Sequence, residues 1–246
     1  MHFSIIHKDV TASTNDDVWS LAEQGASEGV VVVARSQKQG RGQWGRVWMS
    51  PEGGLYFSLL LRPTLAQSEW PALSPAIARA ICRVVRAECG VEPDAFTEEQ
   101  AVPESGYGAN KTANADLRTG KQGDAATADI SRDVDSGHHA LMQDLSAEDM
   151  LAVAQSIRVK HPNDVVCDAG KICGISLEAR EGCVVVGCGV NVFPPRRPVE
   201  TDGRNEPAYL FDLTGSGLGV PSAEYLDALL DALLAAIDQQ ISSLQH

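Results

Sequence analysis

Between Gly40 and Trp48 the chain reads Gly-Arg-Gly-Gln-Trp-Gly-Arg-Val-Trp, followed by Ser50-Pro51-Glu52-Gly53-Gly54. Gly40, Gly42 and Gly45 let the backbone approach a ligand closely and expose its N–H groups, while Arg41 and Arg46 add forked donors suited to carboxylate or phosphate. Such a loop suits an anion. Taken alone, it reads as a mobile surface loop. A second chemical candidate is Lys171, which follows Lys160-His161-Pro162-Asn163-Asp164 and precedes Ile172-Cys173-Gly174-Ile175. A lone lysine in a turn is by default solvated. It is not the lysine of a P-loop, because Gly170-Lys171 is followed by Ile172 and lacks the spaced glycine.

The elements that must position these residues follow from periodicity and turn chemistry. Residues 3–7 read as a short strand, and Ser13 or Thr14 caps a helix to about residue 25, with Asp16 and Asp17 in its first turn. Residues 30–35 are a β-branched run typical of a buried strand, and Gln37 follows just before the loop. The turn at 51–54 feeds a strand at 55–61, tying one end of the loop to the core. Ser74-Pro75 opens a helix to about Cys89, stopped by Gly90, with Ala76, Ala80, Val84 and Ala87 near one face. Ser146 to Asp149 resembles a capping box and starts a helix through about Gln155. A strand at 157–160 ends where Pro162 stops regular pairing, which lets Asn163 and Asp164 point into a site. Residues 165–167 and 171–178 form a hairpin around 168–170, and a turn at Glu181-Gly182 leads into 183–192. These hairpins draw Lys171, Asn163 and Asn191 toward the loop after Gly40. Residues 222–243 form an amphipathic helix with Tyr225, Leu226, Leu229, Leu230, Leu233 and Ile237 at helical spacing, a face for core packing or for a homodimer contact.

Composition narrows the class. The 246 residues are 43% hydrophobic, enough for a full core, and contain no apolar run long enough to span a membrane. The N-terminus is too short and too quickly polar for a signal peptide, so the chain is expected to be cytoplasmic. A net charge of −13 argues against a nonspecific nucleic-acid binder. Most of the excess lies between Glu92 and Asp149, with 13 acidic against 4 basic residues. Within about 92–145 apolar periodicity vanishes, and the segment is expected to be a disordered insertion. His138-His139 and the glycosylation-like Asn110-Lys111-Thr112 within it read as incidental. Residues 194–207 are a proline- and arginine-rich connection. The six cysteines show no C-x-x-C pair and read as reduced core residues, with no metal site.

The stretch from Gly40 to Arg62 resembles the nucleotide-binding loop and following strand of biotin protein ligases. The resemblance continues in order at Ser13-Thr14-Asn15, Gln37, Lys160 to Asp164, Lys171 through Glu178, and Gly187-Cys188-Gly189-Val190-Asn191. It implies an α+β fold of the class II aminoacyl-tRNA synthetase/biotin synthetase type, a mixed, largely antiparallel sheet flanked by helices. It implies one catalytic domain over 1–246, without an N-terminal helix-turn-helix or a small C-terminal β-domain, so not a repressor. The implied reaction joins biotin to ATP as biotinyl-5′-AMP, with Mg2+ arriving on ATP, and passes biotin to a lysine of a biotin carboxyl carrier domain. Closure of the loop implies disorder before ligand binds.

By the same resemblance Lys171 and Arg41 are catalytic. Ser13, Thr14, Asn15, Gln37, Gly40, Arg41, Gly42, Gln43, Lys171 and Gly189 contact biotin. Arg46, Trp48, Asn163, Asp164, Lys171 and Asn191 contact the nucleotide. For Ser13 and Thr14 the residues alone read as helix capping. Two positions depart from the family: Gln43 stands where an arginine is frequent, and His161 where a tryptophan is common. Lipoate ligases and lipoyl or octanoyl transferases share the fold, and a non-catalytic biotin-binding regulatory protein is the alternative of another class.

Overall fold

The computed structural model describes residues 1–92, 146–195, 206–214 and 222–245. The expected insertion, with its histidine pair and its Asn-Lys-Thr, and most of the 194–207 connection lie outside them. Seven strands form one sheet: β1 (Ser4–Thr11), β2 (Val30–Gln37), β3 (Leu55–Leu61), β4 (Arg158–Lys160), β5 (Asp164–Cys167), β6 (Gly170–Arg180) and β7 (Cys183–Val190). Their order is β1-β2-β3-β7-β6-β5-β4. Only β1 and β2 pair in parallel, and the remaining neighbours are antiparallel. Parallel neighbours need a crossover, which helix α1 (Thr14–Glu23) supplies.

Each face of the sheet has its own cover. On one face Val18 and Trp19 of α1 pack on Val32, Leu60 and Val185. On the other, Phe57, Leu59 and Leu61 meet α2 (Leu73–Glu88) and the long C-terminal helix, α5 (Ala223–Leu244). Two-sided cover explains why every residue of β3 is buried. Leu230, Leu233 and Ile237 of α5 are buried against this core, so these side chains serve core packing. Two shorter α-helices among the described residues are α3 (Ala147–Gln155) and α4 (Leu210–Leu213).

Several boundaries differ from expectation. Strands β1 and β2 run on to Thr11 and Gln37, whose polar residues continue the parallel ladder although they break the hydrophobic pattern. In α2 the buried line runs through Ile77, Ile81 and Val85; Ala76 and Ala80 are buried, but Val84 is half-buried and Ala87 exposed. The larger side chains face the sheet because they remove more apolar area from water. Strand β7 ends at Val190, two residues early, because Asn191 N–H donates to Ile172 O and Asn191 O accepts from Leu210 N–H.

Candidate active site

The α1 side of the sheet holds a cleft where several segments meet. Ser13, Thr14 and Asn15 come from the start of α1, Gln37 from the end of β2, Arg41, Gly42, Gln43 and Trp48 from the loop, Asn163 from the turn before β5 and Lys171 from β6. The floor is Gly174 and Ser176 of β6 with Gly187 and Gly189 of β7. Gly174 and Gly189 face each other across the ladder. Side chains there would occupy the space of Trp48: a Cβ on Gly174 would come within 2.8 Å of its ring, and one on Gly189 would collide with Nε1. The facing glycines make a slot, and the indole lies in it. Trp48 Nε1–H is buried and has no partner among the described residues.

The loop is folded back on itself. Gln37 N–H donates to Ser50 O at 3.1 Å, Trp48 N–H to Gly40 O at 2.8 Å, and Gly42 N–H to Arg46 O at 2.8 Å. This folding back uses the Gly42 N–H that was to face an anion. The Arg41 fork is engaged as well, with both Nη atoms 2.7 Å from Asp16 and Nη2 3.2 Å from Glu178 Oε1. The hydrogen bond to Asp16, aided by Glu178, holds its pKa above the usual range against the effect of burial.

Lys171 is held from below. Its N–H donates to Glu206 O at 2.7 Å, and its carbonyl accepts from Ala208 N–H and from Asn191 Nδ2, each at 2.9 Å. The ammonium stands 2.8 Å from Asp164 Oδ1 and 4.9 Å from the centre of the Trp48 ring. A cation so fixed at the edge of an aromatic slot can stabilise negative charge developing beside it.

Behind the cleft, polar side chains interlock. Thr14 N–H donates to Gln37 Oε1 at 2.8 Å, and Gln37 Nε2 donates to Ser50 Oγ at 2.9 Å. Ser58 Oγ lies 2.6 Å from Asn15 Oδ1 and 2.7 Å from Thr14 Oγ1. Asn15 Nδ2 and Trp19 Nε1 each donate to Glu178 at 2.8 Å. Burial pushes the Glu178 carboxyl up, but the donors Asn15, Trp19 and Arg41 outweigh it and hold its pKa below the usual carboxylate range.

Eleven of the expected site residues line the cleft, and four do not. Arg46 is exposed and does not line the cleft. Gly40 is buried beneath Trp48 O and the Ser50 hydroxyl. Asp164 reaches the cleft only through its ion pair with Lys171, and Asn191 only through the Lys171 carbonyl. Expectation missed Gly174, Ile175, Ser176, Gly187 and Cys188 as wall and Glu178 as support. Residue alternation along β6 and β7 could have found Gly174, Ser176 and Gly187, which share a face with Gly189, but not Ile175 and Cys188, whose side chains belong to the core on the other face. The α1 N-cap, Ser13, makes no side-chain cap, so its buried hydroxyl belongs to the cleft wall and not to capping. The six cysteines are all unpaired, and burial pushes the Cys82 and Cys89 thiols up to about 12. Among the described residues no group of three or more His, Cys, Asp or Glu side chains is placed to hold a metal ion, and no helix is long and apolar enough to cross a membrane.

Residues 8–119 match the biotin/lipoate A/B protein ligase family. Over 91 residues the chain is 40% identical to the bifunctional ligase/repressor BirA of Bacillus spizizenii, which covers 37% of this chain and 28% of that protein. It is 27% identical over 229 residues to the biotin–[acetyl-CoA-carboxylase] ligase of Paracoccus denitrificans, covering 90% of this chain and 68% of that one. Among solved structures it shares the fold of the biotin protein ligase of Aquifex aeolicus in complex with biotin and ATP. The TM-score is 0.61 at 20% identity, over 98% of this chain and 72% of the other.

Proposed function

We propose, for a chain whose residues 8–119 match the biotin/lipoate A/B protein ligase family, that it activates biotin with ATP and transfers it to a lysine of a biotin carboxyl carrier domain. The observation that carries this reading is Lys171, its backbone N–H and carbonyl fixed by three hydrogen bonds at the end of a polar cleft walled by Thr14 and Gln37. The cleft offers hydroxyl and amide groups of the kind a ureido ring requires, with both donors and acceptors. In the first step a biotin carboxylate oxygen attacks the α-phosphorus of ATP, and the bond to pyrophosphate breaks. Lys171 offsets the repulsion between the two anions and the charge that develops at phosphorus, usually the largest contribution to catalysis of this kind.

In the second step the carrier amine attacks the acyl carbon, AMP leaves, and the amine loses a proton. Trp48, which lines the cleft beside Lys171, is assigned to the adenine side. Mg2+ would come with ATP, and Asp164 beside Lys171 is the carboxylate this reading would offer it. Six unpaired thiols support a reducing, cytoplasmic setting.

Biotin-dependent ATP–pyrophosphate exchange tests the first step without a carrier, with lipoate and octanoate as controls. Exchange with biotin alone is expected. Lys171→Met is expected to lower it at least about a hundredfold while the unfolding curve stays in place. Biotin binding without exchange in the unmodified chain would replace the ligase reading with that of a binding protein. Exchange with lipoate or octanoate instead would reassign the substrate.

A further inference from the structure

Lys171 reaches the cleft against the alternation of its own strand. In β6, Gly174 and Ser176 line the cleft, whereas Cys173, Ile175 and Leu177 belong to the core on the other face. Continued toward the start of the strand, that alternation puts Ile172 in the cleft and Lys171 on the core face. The opposite is found: Ile172 is fully buried in the core, and Lys171 lines the cleft. The reversal falls where the pairing of β5 with β6 slips. Val165 faces Cys173 and the next residue, Val166, faces Lys171, so Ile172 is one residue too many for its partner strand. Such a bulge re-aims the side chain beside it.

The bulge is locked from the opposite edge of β6. Strand β7 ends at Val190, opposite Cys173, and Asn191 then donates from its N–H to Ile172 O and from Nδ2 to Lys171 O. Where β7 has left, Pro207 lies parallel to Lys171, and the bonds from Lys171 to Glu206 and Ala208 take over from the ladder. Gly170 admits that segment. Its φ is 144°, a region that side chains rarely adopt, and a Cβ there would collide with Glu206 O, a backbone atom that cannot turn aside.

We propose that Gly170 and Asn191 are positioning residues for Lys171: they lock the bulge at Ile172, and the bulge turns the ammonium from the core face to the cleft. The part that Lys171 plays in exchange rests on the reading above; its placement does not. Gly170→Ala is the sharper variant, because glycine has no side chain whose contact with a ligand could be lost. Asn191→Leu keeps the bulk and removes one bond to Lys171.

Two readouts are taken on the folded full chain. In pyrophosphate exchange, Gly170→Ala is expected to lower kcat at least about tenfold with the biotin KM within about threefold. In the second, lysine amines are acetylated with an N-hydroxysuccinimide ester and the rate at each lysine is read by peptide mass spectrometry. Lys171, 17% exposed and paired with Asp164, is expected to react about tenfold faster in Gly170→Ala as the segment opens, while Lys8 and Lys38 keep their rates. Asn191→Leu is expected to move both readouts the same way by about threefold, and it carries the test alone if Gly170→Ala does not fold. A variant that is less stable to urea but keeps kcat and the Lys171 rate overturns the proposal. So does a fall in kcat for Asn191→Leu with the Lys171 rate unchanged, which would make Asn191 a ligand contact. If the unmodified chain shows no exchange, the ligase reading fails and the acetylation rates still decide the placement.

Discussion

At the scale of single residues, the site is governed by groups that hold other groups. Lys171 is positioned by its backbone, Arg41 by Asp16 and Glu178, and Asn15 by Glu178. Glu178 also gives a pH prediction. Its folded pKa lies below the ordinary 4.5, so the unfolded chain binds the proton first. Its contribution to stability is therefore fully present above 4.5 and is lost as pH falls through the lower folded value. The net charge of −13 makes acid also relieve repulsion, so the comparison is made against Glu178→Gln. The gap in thermal midpoint between the two proteins is expected to be constant near neutrality and to narrow below pH 4.5. A gap that persists through the acid range would mean that the ionised form of Glu178 contributes nothing.

At the scale of elements, the strand and helix order was legible because each segment carries a local signal. The run at Leu55–Leu61, the capping box at Ser146 and the turn at Glu181-Gly182 all act within a few residues. The order of pairing was not legible. The slot under Trp48 exists only because Gly174 of β6 lands opposite Gly189 of β7, and each glycine alone reads as a weak spot in a strand. For the same reason Arg46, attractive by charge, proved to be exposed away from the cleft lining, and Glu206 and Ala208, at the end of a stretch that reads only as connection, proved to brace Lys171. Gly189→Ala tests the slot, since its Cβ would collide with the Trp48 indole. The expected outcome is a loss of about 1–3 kcal/mol in chemical denaturation. A red shift in tryptophan emission should accompany it as Trp48 is driven into water. Unchanged emission and stability would show that the indole does not lie between the two strands.

At the scale of the whole molecule, the sheet separates two tasks. Its α2–α5 face carries the large core, and its α1 face carries a smaller cluster and the cleft. One buried cation links the two halves of the core side. Arg86, 3% exposed, donates from Nη1 to Gln155 O at 3.2 Å and Ile157 O at 2.9 Å, and from Nη2 to Glu92 O at 3.4 Å. It therefore ties the chain just before residue 93 to the chain that returns in α3 and β4, on the face away from the cleft. Charge-assisted bonds to carbonyls are the stronger kind, and losing them would leave buried acceptors unpaired. Because this clamp lies outside 95–140, replacing those residues with a short Gly/Ser linker is expected to keep both the fold and pyrophosphate exchange. Shortening a closed loop lowers its entropy cost by about 0.6 kcal/mol per halving, so the thermal midpoint should hold or rise slightly. Adding Arg86→Met to the same deletion is expected to lower stability by about 1–3 kcal/mol, measured by urea denaturation. A folded deletion that has lost exchange would instead assign residues 95–140 a direct part in the reaction. A deletion that no longer folds would make them part of the structure that Arg86 closes.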